Sequence, residues 1–433
     1  MAKYSEYKDS GIPWIGKIPT HWITRRAKFI FDRHKRPVRP NDEIVTCFRD
    51  GVVTLRKNRR ESGFTNALME FGYQGIRKGD LIVHQMDAFA GSIGVSDSDG
   101  KSTPVYTVCT MHNDDSIAWY YAFLLRVMAK TDYIQSLSRG IRERSTAFGY
   151  DIMGNLLLPI PPKEEQEAIV AYLDKVTADI DKAIAAKERI ISTLEERRKI
   201  IITHAVTRGI NPDAPMKDSG IDWLGEIPAH WEIRKLKSLA DVKGRIGFRG
   251  YTNEDMVLEG EGAITLSPSN VNNGKVEFEK CSYLSWSKYY ESPEIMVEKG
   301  HLLFVKTGSS YGKTGIVNSL PEKSTINPQF SLIKPKNILS KFLNFTFATP
   351  YLKSQVEGGV IGSTIPTISQ AKIKNFIILT PPYKEQEIIL DYLERELSPL
   401  DLSIAQQKKL IDLLRERKNI IINETVTGKV KVI

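Results

Sequence analysis

Three cysteines in 433 residues, Cys47, Cys109 and Cys281, lie too far apart for a disulfide framework or a zinc cluster. Such scarcity points to a reducing compartment and a cytoplasmic protein. The seven histidines are scattered, and HExxH, CxxC and GxSxG are all missing. Zinc-peptidase and serine-hydrolase chemistry are therefore not expected. No apolar run reaches the roughly 18–20 residues that a membrane helix needs. The opening MAKYSEYKDSG has no apolar segment behind its lysines, so no secretory signal is expected. A strong excess of either charge is also missing: 61 basic against 52 acidic residues leave +9. That balance permits nucleic acid without requiring it. With 41% apolar and 26% charged residues the chain reads as globular, and its length calls for more than one core.

Two stretches have almost no glycine or proline, and they are copies of each other. PPKEEQEAIVAYLD (Pro161–Asp174) returns as PPYKEQEIILDYLE (Pro381–Glu394), identical at 8 of 14 positions, 220 residues later. The same offset carries Arg197–Thr207 onto Arg417–Thr427. Ile169, Leu173, Val176, Ile180, Ala183, Ile190, Leu194 and Ile201 fall on the a and d places of a heptad. Ile389, Leu393, Leu400, Leu410, Leu414 and Ile421 do so in the second copy. A seam this long predicts a coiled coil, with the two rods burying their seams against each other. Glu164–Thr207 would span about 66 Å at about 1.5 Å per residue. Asn211–Pro215 ends the first rod, and Pro399 predicts a kink or broken turn in the second.

The chain's opening repeats as well. DSGIPWIGKIPTHW (Asp9–Trp22) returns as DSGIDWLGEIPAHW (Asp218–Trp231), identical at 10 of 14 positions. No catalytic partner repeats with His21 and His230, which read as structural. Between opening and rod each half holds a domain-sized segment in which the copies diverge. Gly79–Val83 still aligns with Gly300–Phe304, and Gly91 and Gly94 with Gly312 and Gly315. These predict a buried strand, a glycine turn and a second strand. Amphipathic helices are expected over Ile117–Leu137 and Leu339–Val356, then polar turns at Arg139–Thr146 and Glu357–Thr364. Strands at Leu156–Ile160 and Phe376–Leu379 lead into the rods. The fold class is α+β: two globules separated by two long antiparallel helices, with an internal pseudo-twofold repeat. Its expected divisions are 1–160, the helix 161–208, 209–380 and the helix 381–433.

Two strings resemble catalytic motifs and fall short of them. TGSSYGKT (Thr307–Thr314) is one residue short of a phosphate loop, and Ser92 stands where the first half would need Lys313. TPPY (Thr380–Tyr383) and NPQF (Asn327–Phe330) approach the amine-binding loop of amino-methyltransferases. Thr380 lacks the necessary amide or carboxylate, NPQF lacks the second proline, and neither half has a glycine-rich cofactor turn.

Basic residues, by contrast, cluster on turns. Arg49, Arg56, Lys57, Arg59 and Arg60 crowd one segment, and Arg139, Arg142 and Arg144 load another beside Thr146. In the second half Lys243, Arg245 and Arg249 interleave with Phe248 and Tyr251, and Asn270, Asn272 and Asn273 follow. Lysine and arginine neutralise phosphates, whereas Arg, Asn and Gln can read base edges. Any one such cluster reads as a solvated surface; four of them on corresponding turns favour DNA. Gln85, Lys306, Ser309, Ser310, Tyr311, Lys313, Ser363 and Thr364 complete the candidate DNA-binding set.

The DSGI…W…G…IP…HW opening, GSTIPTIS (Gly362–Ser369), the PPxxEQExI start of each rod and the VTRG/VTGK close (Val206–Gly209, Val426–Lys429) together resemble the specificity subunits of type I DNA restriction–modification systems. The match to GSTIPTIS in the first half, Arg144–Phe148, is weak. The resemblance implies two target-recognition domains, one on each half of a split, asymmetric double-stranded DNA site. The helices would space the halves and bind two methyltransferase subunits, with Gln166, Ile169, Leu173, Gln386, Ile389 and Leu393 as partner-binding positions. It implies no cofactor, metal or catalytic residue on this chain: S-adenosylmethionine, ATP and Mg would sit on the methyltransferase and restriction subunits. Three other readings remain open: a coiled-coil scaffold that binds only proteins, a nucleotidase using Lys313, and a non-specific DNA binder.

Overall fold

The computed structural model describes residues 2–59, 70–137, 147–221, 224–360 and 365–432. The chain divides into two compact units. One comprises Met1–Lys187 with Lys409–Ile433, and the other Glu188–Lys408.

In the first unit, runs of buried apolar residues form a four-stranded antiparallel sheet. Its strands are β1 (Phe31–His34), β2 (Leu81–His84), β3 (Ile93–Val95) and β4 (Tyr106–Met111), in the order β1-β4-β2-β3. Cys109 lies opposite Arg33 on one side and Leu81 on the other. Helix α1 (Ala118–Lys130) covers the sheet, burying Tyr120, Tyr121, Leu124, Leu125 and Met128. The single helix expected over Ile117–Leu137 is two, because Asp132 takes a left-handed φ of 58° before a second turn at Tyr133–Leu137. Helix α2 (Lys163–Arg208) starts in this unit.

In the second unit β5 (Ala240–Lys243), β6 (Leu302–Val305), β7 (Thr314–Ile316) and β8 (Phe330–Pro335) repeat that order as β5-β8-β6-β7. Two short strands, Lys275–Val276 and Val271–Asn272, extend this sheet to six. A separate four-stranded sheet carries Gly262–Leu266 and Ser324–Ile326, paired in parallel, and shares a second core with residues of the six-stranded sheet such as Leu303, Val305 and Leu332. Helix α3 (Ser340–Phe347) stands where α1 stands in the first unit. The helix expected over Leu339–Val356 breaks at Thr349, whose hydroxyl caps a new helix beginning at Pro350. Helix α4 (Tyr383–Val426) starts here.

Each opening motif is a hairpin, Tyr7–Ile12 with Gly16–Pro19 and Met216–Asp218 with Glu226–Pro228. It delivers a fully buried indole, Trp22 or Trp231. Burying an indole removes about 150–250 Å² from water, on the order of 4–6 kcal/mol. The Trp22 Nε1 donates to Glu165 at 3.0 Å, and the His21 ring meets the same carboxylate at 2.8 Å. Trp231 and His230 meet Glu385 at 3.0 and 2.7 Å. The repeated opening and the repeated EQE at the head of each helix are therefore two parts of one joint, and both histidines serve it.

Each joint also receives the end of the other helix. The first unit's core takes in Ile422 and Val426 of α4, and the second unit's takes in Ile202, Ala205 and Val206 of α2. Gly428 (φ +74°) lies against Pro19 and Trp22, where a Cβ would fall 2.5 Å from the Pro19 ring. Gly209 (φ +75°) lies against Trp231. This contact explains the glycine in the VTRG and VTGK closes.

The heptad seam needs correcting. Ile190 and Leu410, which it buries, are 46% and 40% exposed. Ile202, Ile411 and Ile422 are buried where the pattern chose Ile201, Leu410 and Ile421. A straight helix drifts about 20° per heptad against a 3.5-residue repeat, so after four heptads the seam has slipped by nearly one residue. The buried sets Ile180–Ile202 and Leu400–Ile411–Ile422 are spaced by multiples of eleven instead. In the second unit the helices run antiparallel: Arg198 meets Asp401 at 2.9 Å and Glu195 meets Lys408 at 3.9 Å. The first unit has the equivalent ion pair, Lys418 with Asp181 at 2.7 Å. Pro399 does not break α4. It lies on the exposed face, where water can satisfy the carbonyl it leaves unpaired.

Candidate nucleic-acid interface

In both units the hairpin loop between the second and third sheet strands is built by the same backbone bonds. The residue after β2, Gln85, donates its N–H to Val105 at 2.9 Å and accepts from the Phe148 N–H at 3.2 Å. The residue after β6, Lys306, donates to Gln329 at 2.8 Å and accepts from Ile368 at 2.8 Å. Three chain segments therefore converge at one point in each unit: the hairpin loop, the approach to the last strand, and the segment leading to the long helix. Gly91 and Gly312 hold left-handed φ values of 91° and 81° at the ends of these loops, the backbone need behind their alignment.

In the first unit several of the expected cations are already engaged, and Arg49 reaches the hairpin loop itself. Arg49 pairs with Asp87 at 2.8 Å, and Arg59 pairs with Asp50 at 2.8 Å while lying over the Phe48 ring. Lys57 reaches Glu43 at 2.5 Å, and the Arg56 Nε donates to Thr46 at 3.2 Å. The Gln85 Nε2 donates to Thr107 at 3.3 Å. Arg49, Lys57 and Arg59 remain well exposed, and exposed pairs of this kind are worth at most about 1 kcal/mol. A phosphate can displace those carboxylates at little cost. Arg60, Arg139, Arg142, Arg144 and Thr146 lie outside the described residues, as do Ser363 and Thr364.

In the second unit two expected contacts are structural instead. Arg245 is buried at 8% exposure and donates to the Ile326 and Arg249 carbonyls and to Thr325, with its guanidinium over Tyr251. Burial lowers its pKa, and its donors already face inward. Asn270 is 3% exposed: its Oδ1 caps the turn at Ser267, and its Nδ2 donates to the Glu277 and Glu279 carbonyls. An interior amide of this kind cannot read a base. Asn272 is exposed and bonded to Glu277 at 2.7 Å, Arg249 pairs with Glu294 at 3.3 Å, and the Tyr251 hydroxyl lies 3.5 Å from Thr265.

Ser309, Ser310, Tyr311 and Lys313 occupy the 306–313 loop, which closes with the Gly312 N–H donating to Val305 at 2.8 Å. A strand, β7, follows this loop. A phosphate loop requires the N-terminus of a helix there, so the nucleotidase geometry is lacking. Thr380 is buried at a strand end, with its hydroxyl on the Ile378 carbonyl. Sequence reasoning passed over Gln329, Asn327 and Gln370. The Asn327 Nδ2 donates to Gln329 at 3.1 Å beside Lys306, and Gln370 packs over Gly244. NPQF, weighed as a catalytic loop, was the signal that could have found the first two.

The expected partner contacts are also corrected. Ile169, Leu173, Ile389 and Leu393 are fully buried in their own units. Gln166 accepts from the Ile117 N–H at 2.9 Å and donates to Pro161 at 2.8 Å. Gln386 accepts from Leu339 and donates to Pro381, both at 2.9 Å. All six tie a globule to its helix and offer nothing to another chain. Among the described residues no three His, Cys, Asp or Glu side chains gather as a metal site, and no helix is long and apolar enough to cross a membrane.

Comparison with known proteins follows the same lines. Residues 228–413 match the family described as the type I restriction modification DNA specificity domain. The chain is 26% identical over 286 residues to the MjaVIII type I restriction enzyme specificity subunit of Methanocaldococcus jannaschii, covering 65% of this chain and 64% of that one. It is 25% identical to the putative MjaX specificity subunit of the same organism, covering 96% of each. Against the EcoKI specificity subunit of Escherichia coli it is 23% identical, covering 88% of this chain and 83% of that one. A solved structure described under complex assembly and conformational transition of the type I R-M system shares the fold. Its TM-score is 0.66 at 16% identity, covering 95% of this chain and 99% of that one. With a joint, a strand order and a long helix each present twice, the chain is similar to type I restriction–modification specificity subunits along most of its length, and residues 228–413 match the DNA specificity domain of that family.

Proposed function

We propose that this chain is the non-catalytic DNA-specificity subunit of a type I restriction–modification complex. Its two units are target-recognition domains reading the two halves of a bipartite, asymmetric site. The observation that carries this reading is one backbone framework occurring twice with unlike side chains on the same loop. Identical loops would read a palindrome; unlike loops read two different half-sites. The long helices, in a pseudo-twofold arrangement, set the spacing and carry two methyltransferase subunits. S-adenosylmethionine, ATP and Mg are then held by the methyltransferase and restriction subunits.

The helices also support two equivalent partner sites. Ile190 and Ile200 on α2 are 46% and 59% exposed, and Leu410 and Ile420, each 220 residues on, are 40% and 48% exposed. One exposed isoleucine needs no explanation, but the same two exposed positions in both copies point to a duplicated contact.

The deciding experiment is co-expression with the neighbouring methyltransferase subunit, with N6-methyladenine mapped in host DNA by single-molecule sequencing. One split, asymmetric motif that vanishes when this chain is deleted is the expected result. Methylation that persists unchanged without the chain would favour the protein-binding scaffold.

A further inference from the structure

The junction occupied by Gln85 and Lys306 is built alike in the two units. Its backbone is held in both units by one donated and one accepted main-chain bond, at 2.9 and 3.2 Å for Gln85 and 2.8 and 2.8 Å for Lys306. Those bonds ignore the side chain, so residue type can change there without disturbing the fold. Each residue is also first in its loop, directly off a strand buried over at least three of its four residues, which fixes its position better than a loop tip would be fixed. The two side chains are chemically unlike. Gln85 presents an amide that both donates and accepts, whereas Lys306 only donates. Lys306 is half-buried, and among the described residues its ammonium has no hydrogen-bond acceptor or carboxylate partner. Partial burial of an unpartnered cation is unfavourable in the free protein. Asn327 and Gln329, whose amides bond to each other at 3.1 Å, flank it as a short polar row.

We propose that Gln85 and Lys306 are the equivalent base-reading positions of the two half-sites, Gln85 reading an adenine and Lys306 a guanine through their major-groove edges. The inference rests on the specificity-subunit reading above. An adenine offers N6 as donor beside N7 as acceptor, which a glutamine amide matches in pairs; a guanine offers O6 and N7, both acceptors, which suit an ammonium. Arg49, Lys57 and Arg59 are exposed cations suited to phosphates and carry no such information.

The test is to map methylated motifs for the wild type, Gln85→Met, Lys306→Met and Lys306→Gln, each co-expressed with the methyltransferase subunit. Thermal unfolding of the purified complexes checks that each variant folds. Lys306→Met is expected to relax one guanine position in one half-site, with discrimination there falling about 10- to 100-fold, while the other half is unchanged. Gln85→Met does the same at an adenine in the opposite half. Lys306→Gln, the milder replacement, moves the preference at its position from guanine towards adenine. A folded variant that loses methylation evenly over all sites with its motif intact overturns the proposal, because that is the behaviour of a phosphate contact. Relaxation in both halves at once overturns it too. A wild type that yields no split motif sinks the specificity-subunit reading itself, and the inference with it.

Discussion

At the scale of single residues, two histidines act as acceptors and must stay neutral to do so. The His84 Nδ1 accepts the Asp87 N–H at 3.0 Å, and the His301 Nδ1 accepts the Glu298 N–H at 3.0 Å. Burial lowers both pKa values from the ordinary 6.5, outweighing the pull of the nearby carboxylates. The unfolded chain therefore binds these protons first. Their contribution to stability is full above about pH 6.5 and is lost as pH falls through 6.5 towards the lowered folded values. Urea midpoints measured between pH 7.5 and 5.5 should fall, and His84→Asn with His301→Asn should flatten the slope. Gly428 is a second sensitive point. Gly428→Ala asks for a left-handed φ and places a methyl 2.5 Å from the Pro19 ring. A loss of about 2 kcal/mol or more is expected in chemical denaturation, and an unchanged midpoint would refute the packing role given to this glycine.

At the scale of elements, the long helices owe little to an ideal supercoil. Their buried positions follow an eleven-residue spacing, and Pro399 sits inside α4 on its exposed face. Proline costs about 3 kcal/mol relative to alanine in a helix interior. Pro399→Ala should therefore stabilise the second unit, by about 1–3 kcal/mol, and raise its unfolding temperature. A destabilised variant would mean that the proline imposes a bend the packing needs. The helical and strand elements were legible because their signals are local: apolar periodicity, proline at the head of each rod, glycine at the turns. The seam was legible only in part, since a drift of about 20° per heptad is invisible until the helix is straight or coiled. The expected single helices in each globule were broken by local features, Asp132 and Thr349–Pro350, that periodicity alone does not weigh.

At the scale of the molecule, the duplicated exposed positions on the helices predict partner stoichiometry. Ile200→Asp places a charge on an apolar contact in one copy and Ile420→Asp in the other. Each single variant should reduce the bound methyltransferase subunits from two to one, and the double variant to none, read by native mass spectrometry. Full assembly of the double variant would move the partner contact elsewhere. Gln166, Ile169, Leu173 and their copies repeat because both joints need the same packing, and repetition alone cannot tell an internal joint from an external contact.

By itself the sequence determined the duplication, the α+β class, the long helices, the glycine turns and the resemblance to type I specificity subunits, because each is written in local pattern or in a motif order that survives divergence. Only the tertiary structure decided which polar residues are available. Arg245 and Asn270 have the right chemistry for DNA and are consumed by interior carbonyls, while Gln85 and Lys306 fall on one shared junction. Hydrogen-bond partners come from segments tens of residues away, and no local pattern records which donors they satisfy.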